Sequence, residues 1–190
     1  DNTSELIASG GHTSLTEWTR TLVTQVHGTD ARMNGIGHHY YTLPSGSWAT
    51  DKGPALGFDE AEWFSTLRNT LRVEQFIIDN VAILDMHDPG GEVGFYVDEW
   101  GTWYDPAVGE KPGFLWQQNS LRDAILASLN LHVFHRHARR VRMTNIAQMV
   151  NVLQAMILTD GEKMLLTPTY HVFRMHVPFQ DATWLPLTID

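Results

Sequence analysis

Residues 94–105 read GFYVDEWGTWYD, and this stretch decides the interpretation of the whole chain. The apolar run from Gly94 to Val97 predicts a buried β-strand, but it ends in the adjacent carboxylates Asp98 and Glu99, flanked by aromatic residues. A strand that serves only for packing has no use for two acidic side chains, since burying an unpaired charge is costly. The stretch therefore predicts either a functional strand end or an ordinary helix cap or solvated turn.

Strands and helices alternate along the rest of the chain. Strands are predicted near Leu6-Ile7-Ala8, at 34–41, 93–98 and 141–148. Helices are predicted from a capping box at Ser14-Leu15-Thr16-Glu17 to about His27-Gly28, over 59–87 with Asp59 as the cap, and at 114–134 and 169–175. This alternation is typical of parallel βα units. Four such strands fit half of a (β/α)8 barrel, because a complete barrel takes about 250 residues.

Two shorter segments near the end of the chain carry further predictions. Asp160-Gly161, between two apolar runs, predicts a hairpin turn. The final segment ATWLPLTID, residues 182–190, predicts the start of a new strand.

Three of the predicted strands end in side chains that can support chemistry. They are His38 to Tyr41, Asp98-Glu99, and Asn145 with Gln148. In βα barrels the active site lies at the carboxyl ends of the strands. Carboxylates, aromatic rings and amides together suit a sugar, and glycoside hydrolysis typically uses two carboxylates. The alternative is that the aromatic residues belong to the core and that one of the neighbouring histidines is buried while the other is exposed.

Composition excludes several other classes of site. The 190 residues contain no cysteine, so there is neither a disulfide framework nor a thiolate metal site. The net charge of −9, with no cluster of basic residues, argues against a nucleic-acid-binding surface. No apolar stretch is long enough to span a membrane. His132, His135 and His137 could bind a metal, but their spacing does not place them on one helix face, and a role near a helix C-terminus is the alternative.

Longer blocks of sequence resemble a known family. These blocks include GIGHHYYTLPSGSWATDKG, VGFYVDEWGTWYD, GFLWQQNSLRDAILASLNLHVFHRH and VRMTNIAQMVNVLQAMILTDGEKMLLTPTYHVF. In colinear order, they closely resemble the α-L-arabinofuranosidases of glycoside hydrolase family 51. The resemblance implies the second half of the catalytic barrel, strands five to eight, over residues 1–176. Residues 177–190 would then begin a C-terminal β-sandwich.

The resemblance also implies roles for individual residues. Glu99 matches the catalytic nucleophile, and Trp103 matches an aromatic residue of the sugar pocket. His39 and Tyr41 match a substrate-side histidine and tyrosine, while Gln148 matches an amide that contacts the sugar. The family often has leucine where this chain has His38, so the choice between His38 and His39 stays open.

One element of the family pattern is missing from this sequence. The acid/base glutamate of the family lies in a Gly-Asn-Glu motif, and no such motif occurs here. We therefore expect a fragment that is inactive by itself and that needs the N-terminal half of the barrel as its partner. Without the acid, protonation of the leaving group is lost, which is worth about 10²–10⁴-fold in rate.

The expected function is that of a retaining glycosidase releasing terminal non-reducing α-L-arabinofuranosyl residues from arabinan- or arabinoxylan-type oligosaccharides. The resemblance implies no cofactor and no metal, a cytoplasmic location and a possible homo-oligomer, with neither nucleic acid nor membrane as a partner. The alternative is a non-catalytic carbohydrate-binding or assembly fragment, and a Gly-Asn-Glu strand end upstream would decide for the enzyme.

Overall fold

The computed structural model describes residues 4–12, 15–26, 29 and 31–188. Its strands are β1 (Ile7–Ser9), β2 (Gly35–Thr42), β3 (Gly94–Thr102), β4 (Val141–Ile146), β5 (Ile157–Asp160) and β6 (Lys163–Leu166). Its α-helices are α1 (Thr16–Val26), α2 (Glu60–Thr70), α3 (Arg72–His87), α4 (Leu121–Arg136) and α5 (Pro168–His176). Single 3₁₀ turns lie at Pro112–Phe114 and Val177–Phe179.

The first four strands form one parallel sheet in the order β1-β2-β3-β4. Helices lie in all three crossovers, with α1 between β1 and β2, α2 and α3 between β2 and β3, and α4 between β3 and β4. The predicted α/β class, with four parallel strands, is confirmed. Across the described ranges, no helix has the length and apolar character that a membrane crossing needs.

Two predicted helices differ from the structure in their bounds. The helix predicted over 59–87 is divided at Leu71 into α2 and α3. Its predicted cap is present, because the Asp59 carboxylate accepts from the amide of Glu62 and the Glu62 carboxylate accepts from the amide of Asp59. The helix predicted from Phe114 begins instead at Leu121, where Ser120 and Asp123 form a capping box.

The C-terminal region differs more. The hairpin at Asp160-Gly161 is confirmed, since β5 and β6 pair in antiparallel fashion around it. The strand predicted at 182–190 is wrong over 182–188, which have no regular secondary structure and are exposed; a strand needs a partner ladder, and none of the described strands pairs with this segment. Residues 189–190, Ser14 and His27-Gly28 lie outside the described residues, and the domain boundary at 176/177 stays a prediction.

The core lies between the parallel sheet and the helices. Its largest fully buried side chains include Ile36 on β2, Phe95, Val97 and Trp100 on β3, and Leu84 on α3. The Trp100 indole packs edge-on against Phe134 and stacks on Phe173. Trp100 is therefore a core residue, although it directly follows the two carboxylates in the sequence.

His38 also belongs to this core. It is 1% exposed and its ring stacks on Phe95, with the ring centroids 4.5 Å apart. The Thr19 hydroxyl donates to Oδ1 of Asn80 at 2.6 Å, so it accepts from Nε2 of His38 at 3.0 Å. This hydrogen-bonded chain holds a neutral imidazole in an apolar environment.

The burial of His38 predicts a pH-dependent stability. Burial lowers the pKa of His38 from 6.5 to about 4. The unfolded chain therefore takes up a proton below pH 6.5 that the folded chain does not, and stability falls as the pH falls from 6.5 towards 4. By pH 5 the loss from this residue reaches about 2 kcal/mol.

Urea denaturation of wild type and His38→Gln between pH 7.5 and 4.5 measures this effect. We expect the wild type to lose more stability than the variant over that interval. The exposed His171 supplies a matched control, His171→Gln, which should keep the wild-type slope. Equal slopes for wild type and His38→Gln would contradict the prediction.

Candidate active site

Around Asp98 and Glu99, strand β3 has one more residue than the paired stretches of its neighbours β2 and β4. Against β2, Gly37 pairs with Tyr96 and His39 with Glu99; against β4, Val97 pairs with Thr144 and Trp100 with Ile146. Three steps along β3 thus match two steps along each neighbour, which defines a β-bulge.

The bulge changes which residues of β3 face the core. Before it, Phe95 and Val97 point into the core, and after it Trp100 does so, three positions later instead of two. In a regular strand, consecutive side chains point to opposite faces. Here Asp98 and Glu99 are both half-exposed and share the open face of the sheet, at its carboxyl end.

Side chains of β2 lie next to both carboxylate oxygens of Glu99. The Tyr41 hydroxyl donates to Oε1 of Glu99 at 2.5 Å, and Nδ1 of His39 lies 3.5 Å from Oε2. Burial, together with the hydrogen bond to Glu99 and the charge of Glu99, raises the pKa of Tyr41 well above its usual range. The Tyr41 phenol therefore stays protonated at neutral pH and donates its hydrogen bond to Glu99.

The structure thus separates the two neighbouring histidines. His39 is half-exposed beside Glu99, whereas His38 is enclosed in the core on the opposite face of β2. Of the alternatives left open by the sequence, one buried and one exposed histidine is the arrangement found.

Aromatic rings form a wall next to Glu99. The Tyr41 ring packs edge-on against Trp103, with centroids 5.1 Å apart, and Trp48 packs edge-on against Trp103 at 5.4 Å. Trp48 is about half-exposed, and it is not among the site residues that the sequence predicted. The available signal was an indole six residues beyond the end of β2, a strand end that carries polar residues.

Gln148 lies just beyond β4 at the same edge of the sheet. The preceding Ala147 is buried, its amide donates to the Trp100 carbonyl, and it packs in a small cluster with Tyr41 and Trp103. The Gln148 side chain is exposed, and in the described part of the chain it makes no hydrogen bond to Glu99. Four of the five predicted residues are therefore linked by successive contacts, from His39 to Glu99, Glu99 to Tyr41 and Tyr41 to Trp103, and Gln148 lies at the rim.

Comparison with known proteins identifies the family. The sequence profile described as "Alpha-L-arabinofuranosidase C-terminal domain" matches residues 98–190. Over 183 residues the chain is 44% identical to an "Intracellular exo-alpha-L-arabinofuranosidase" of Bacteroides ovatus, covering 96% of this chain and 35% of that protein. The structure superimposes on the GH51 arabinofuranosidase of Xanthomonas axonopodis pv. citri with a TM-score of 0.90 at 52% identity. This chain belongs to the family 51 arabinofuranosidases.

The chain covers about a third of the length of these relatives. The match to the Xanthomonas structure covers 98% of this chain but 37% of the Xanthomonas chain. An alpha-L-arabinofuranosidase from Thermotoga maritima, solved as an arabinose complex, matches with a TM-score of 0.70 at 24% identity, over 92% of this chain and 31% of that chain. At that identity the match shows the common fold alone.

The three histidines at the C-terminal end of α4, including its C-cap His137, do not share one set of partners. His137 faces Glu74, with Nε2 3.2 Å from Oε1, while Arg136 donates to both oxygens of the same carboxylate. His132 and His135 instead lie near His176 of α5. Within the described residues, no group of three histidine or acidic side chains is arranged to hold a metal ion.

A buried network supports the strand end that carries Trp103. The fully buried Asp123 accepts from the Tyr104 hydroxyl at 2.7 Å and the Thr102 hydroxyl at 3.0 Å, and also from the amide and hydroxyl of Ser120. Burial raises the pKa of Asp123. Residues on both sides of Trp103 are thus fixed to the start of α4.

Removing the Asp123 carboxylate is expected to destabilise the chain strongly. Asp123→Ala leaves buried donors without an acceptor, and we expect a loss of about 3–5 kcal/mol in the free energy of unfolding. Urea denaturation measures this loss. The exposed Asp79, which accepts from Gln75 at 2.7 Å, gives the control Asp79→Ala, expected to change stability little. Similar losses for both variants would contradict the role assigned to the network.

Proposed function

We propose that this chain is part of the catalytic domain of a retaining α-L-arabinofuranosidase, with Glu99 as its nucleophile. The observation that supports this most directly is the position of Glu99. Its carboxylate lies at the open carboxyl end of the sheet, with one oxygen hydrogen-bonded to Tyr41 and the other facing His39. A nucleophile fixed in this way can attack an anomeric carbon with little reorganisation.

The architecture that goes with this proposal is half of a (β/α)8 barrel. Among the described strands, the parallel sheet ends at β1 on one side and at β4 on the other, and the predicted site residues lie at the carboxyl ends of the strands. Barrel enzymes place their active sites there. The remaining strands would come from the rest of the protein, as would the C-terminal β-sandwich that residues 177–190 would enter.

The second carboxylate of the mechanism would also come from the rest of the protein. A retaining glycosidase places its acid/base across the glycosidic bond from the nucleophile, with the carboxyl groups about 5–5.5 Å apart. Asp98 faces the same imidazole as Glu99 and so lies on the nucleophile's side of the site. The missing Gly-Asn-Glu motif fits a glutamate supplied by another part of the barrel.

The substrate we propose is a terminal non-reducing α-L-arabinofuranosyl group of an arabinan- or arabinoxylan-type oligosaccharide. The Tyr41, Trp48 and Trp103 rings offer apolar surface to a sugar face, and Gln148 at the rim offers an amide to its hydroxyls. The Bacteroides ovatus relative is named as intracellular, and a cytoplasmic location is proposed by analogy. The proposal requires neither a metal nor an organic cofactor.

Covalent labelling tests the nucleophile. The full-length protein is treated with a mechanism-based arabinofuranosyl inactivator, digested and analysed by mass spectrometry, and we expect the adduct on Glu99. Glu99→Gln should abolish labelling and lower hydrolysis of an aryl α-L-arabinofuranoside by at least about 10³-fold, since the covalent route is lost. The 190-residue chain alone should show no turnover.

The control for that test is Glu110→Gln, which changes an exposed carboxylate in the loop after β3. It should retain both labelling and activity. An adduct on another residue of an active protein would refute the assignment of Glu99. Binding of arabinose without any hydrolysis by the full-length protein would favour the carbohydrate-binding alternative.

The neighbouring tyrosines of β2 provide a matched pair of variants. Tyr41→Phe removes the hydrogen bond to Glu99, and we expect kcat/KM to fall about ten- to a hundredfold, the usual value of a hydrogen bond to a charged group. Tyr40→Phe removes a hydroxyl that donates instead to the carbonyl of Asn69 at 3.0 Å in the core. It should cost stability and leave kcat/KM near the wild-type value, and equal losses in activity would contradict the prediction.

A further inference from the structure

His39 lies between two carboxylates of the same strand. Its Nδ1 is 3.5 Å from Oε2 of Glu99, and its Nε2 is 3.8 Å from Oδ1 of Asp98. In the described part of the chain, His39 is the basic side chain paired with both acids. Each ring nitrogen thus faces its own carboxylate.

The Asp98 carboxylate on β3 lies close against β2. Its Oδ1 is inaccessible to solvent and has no hydrogen-bond partner among the described residues. A buried carboxylate oxygen without a donor is costly, so its placement calls for a polar partner, and the one recorded near it is Nε2 of His39, 3.8 Å away. Gly37 leaves the space for it, because a Cβ at that position would lie 2.5 Å from Oδ2 of Asp98.

We propose that Asp98 is a positioning residue that orients the His39 imidazole towards Glu99. By attracting Nε2, the Asp98 carboxylate fixes the ring so that Nδ1 faces Oε2 of the nucleophile. The two ring nitrogens of an imidazole point in different directions, so one side chain can face both carboxylates at once. Asp98 acts through His39 and touches neither the sugar nor the reacting atoms. This inference rests on the proposed role of Glu99.

The physical consequence concerns the orientation of the nucleophile. With Tyr41 on Oε1 and His39 on Oε2, both oxygens of Glu99 are restrained from β2. If the imidazole loses its second carboxylate, it can rotate away, and Oε2 is left free. Small displacements of a reacting group cost much of the rate, and a misplacement of about 1 Å can cost a hundredfold.

A double-mutant cycle in the full-length protein tests this coupling. Asp98→Asn, His39→Gln and the double variant are compared for kcat/KM and for the rate of covalent labelling of Glu99. We expect Asp98→Asn to lower both about ten- to a hundredfold. In the His39→Gln background the same change should cost less than about threefold, because coupled residues are not additive.

Affinity for free L-arabinose separates positioning from a merely structural role. Since Asp98 does not touch the sugar, the dissociation constant of Asp98→Asn should stay within about twofold of wild type. Gly37→Ala gives a second variant, which displaces the Asp98 carboxylate without changing its charge and should lower labelling in the same direction. Asp85→Asn is the control for lost stability, because it removes an ion pair with Arg139 and Arg140 far from the site; it should label at the wild-type rate.

A failure of the positioning role of Asp98 can be told apart from a failure of the proposed function. An inactive wild-type protein, or one labelled elsewhere than at Glu99, would refute the proposed function itself. With an active wild type, the positioning role is overturned by any of three results: an Asp98→Asn loss that persists in full without His39, no loss at all, or a loss that resides in arabinose affinity.

Discussion

The extra residue in β3 is the constraint on which the site depends. Without it, the regular alternation of the strand would send either Asp98 or Glu99 towards the core, where Phe95, Val97 and Trp100 pack. Because the bulge is accommodated against both β2 and β4, it lies in the middle of the sheet and is enclosed by hydrogen-bonded neighbours. The strand thereby keeps a continuous apolar face and presents two adjacent acids to one histidine.

The same two-sided arrangement explains why β2 can carry adjacent histidines and adjacent tyrosines. His38 and Tyr40 face the core, where the Thr19 hydroxyl pairs with Nε2 of His38 and the Asn69 carbonyl accepts from the Tyr40 hydroxyl. His39 and Tyr41 face Glu99. One strand thus supplies both a polar part of the core and the groups that hold a carboxylate, and the alternation of its side chains keeps these tasks apart.

The sequence predicted these features unevenly, for physical reasons. Buried parallel strands, the Asp59 cap and the Asp160-Gly161 hairpin are local signals, and all were predicted. The bulge was not, because the change of facing between Val97 and Trp100 depends on register with two distant strands. Trp48 was missed since its ring contacts come from another loop, and the final strand was wrong because a strand requires a partner that the described chain lacks.

The loop that carries Trp48 is fixed at both of its ends. Asn69 donates to the carbonyls of Leu43 and Pro44 on one side, and the Asp105 carboxylate accepts from the amide of Gly53 on the other. Residues 45–51 therefore form a loop between two fixed points, at Leu43-Pro44 and at Gly53. This loop is separate from the strands that place Glu99. Substitutions in this segment can therefore move Trp48, the part of the aromatic wall that it carries, while Tyr41 and Trp103 remain on or next to the strands that place Glu99.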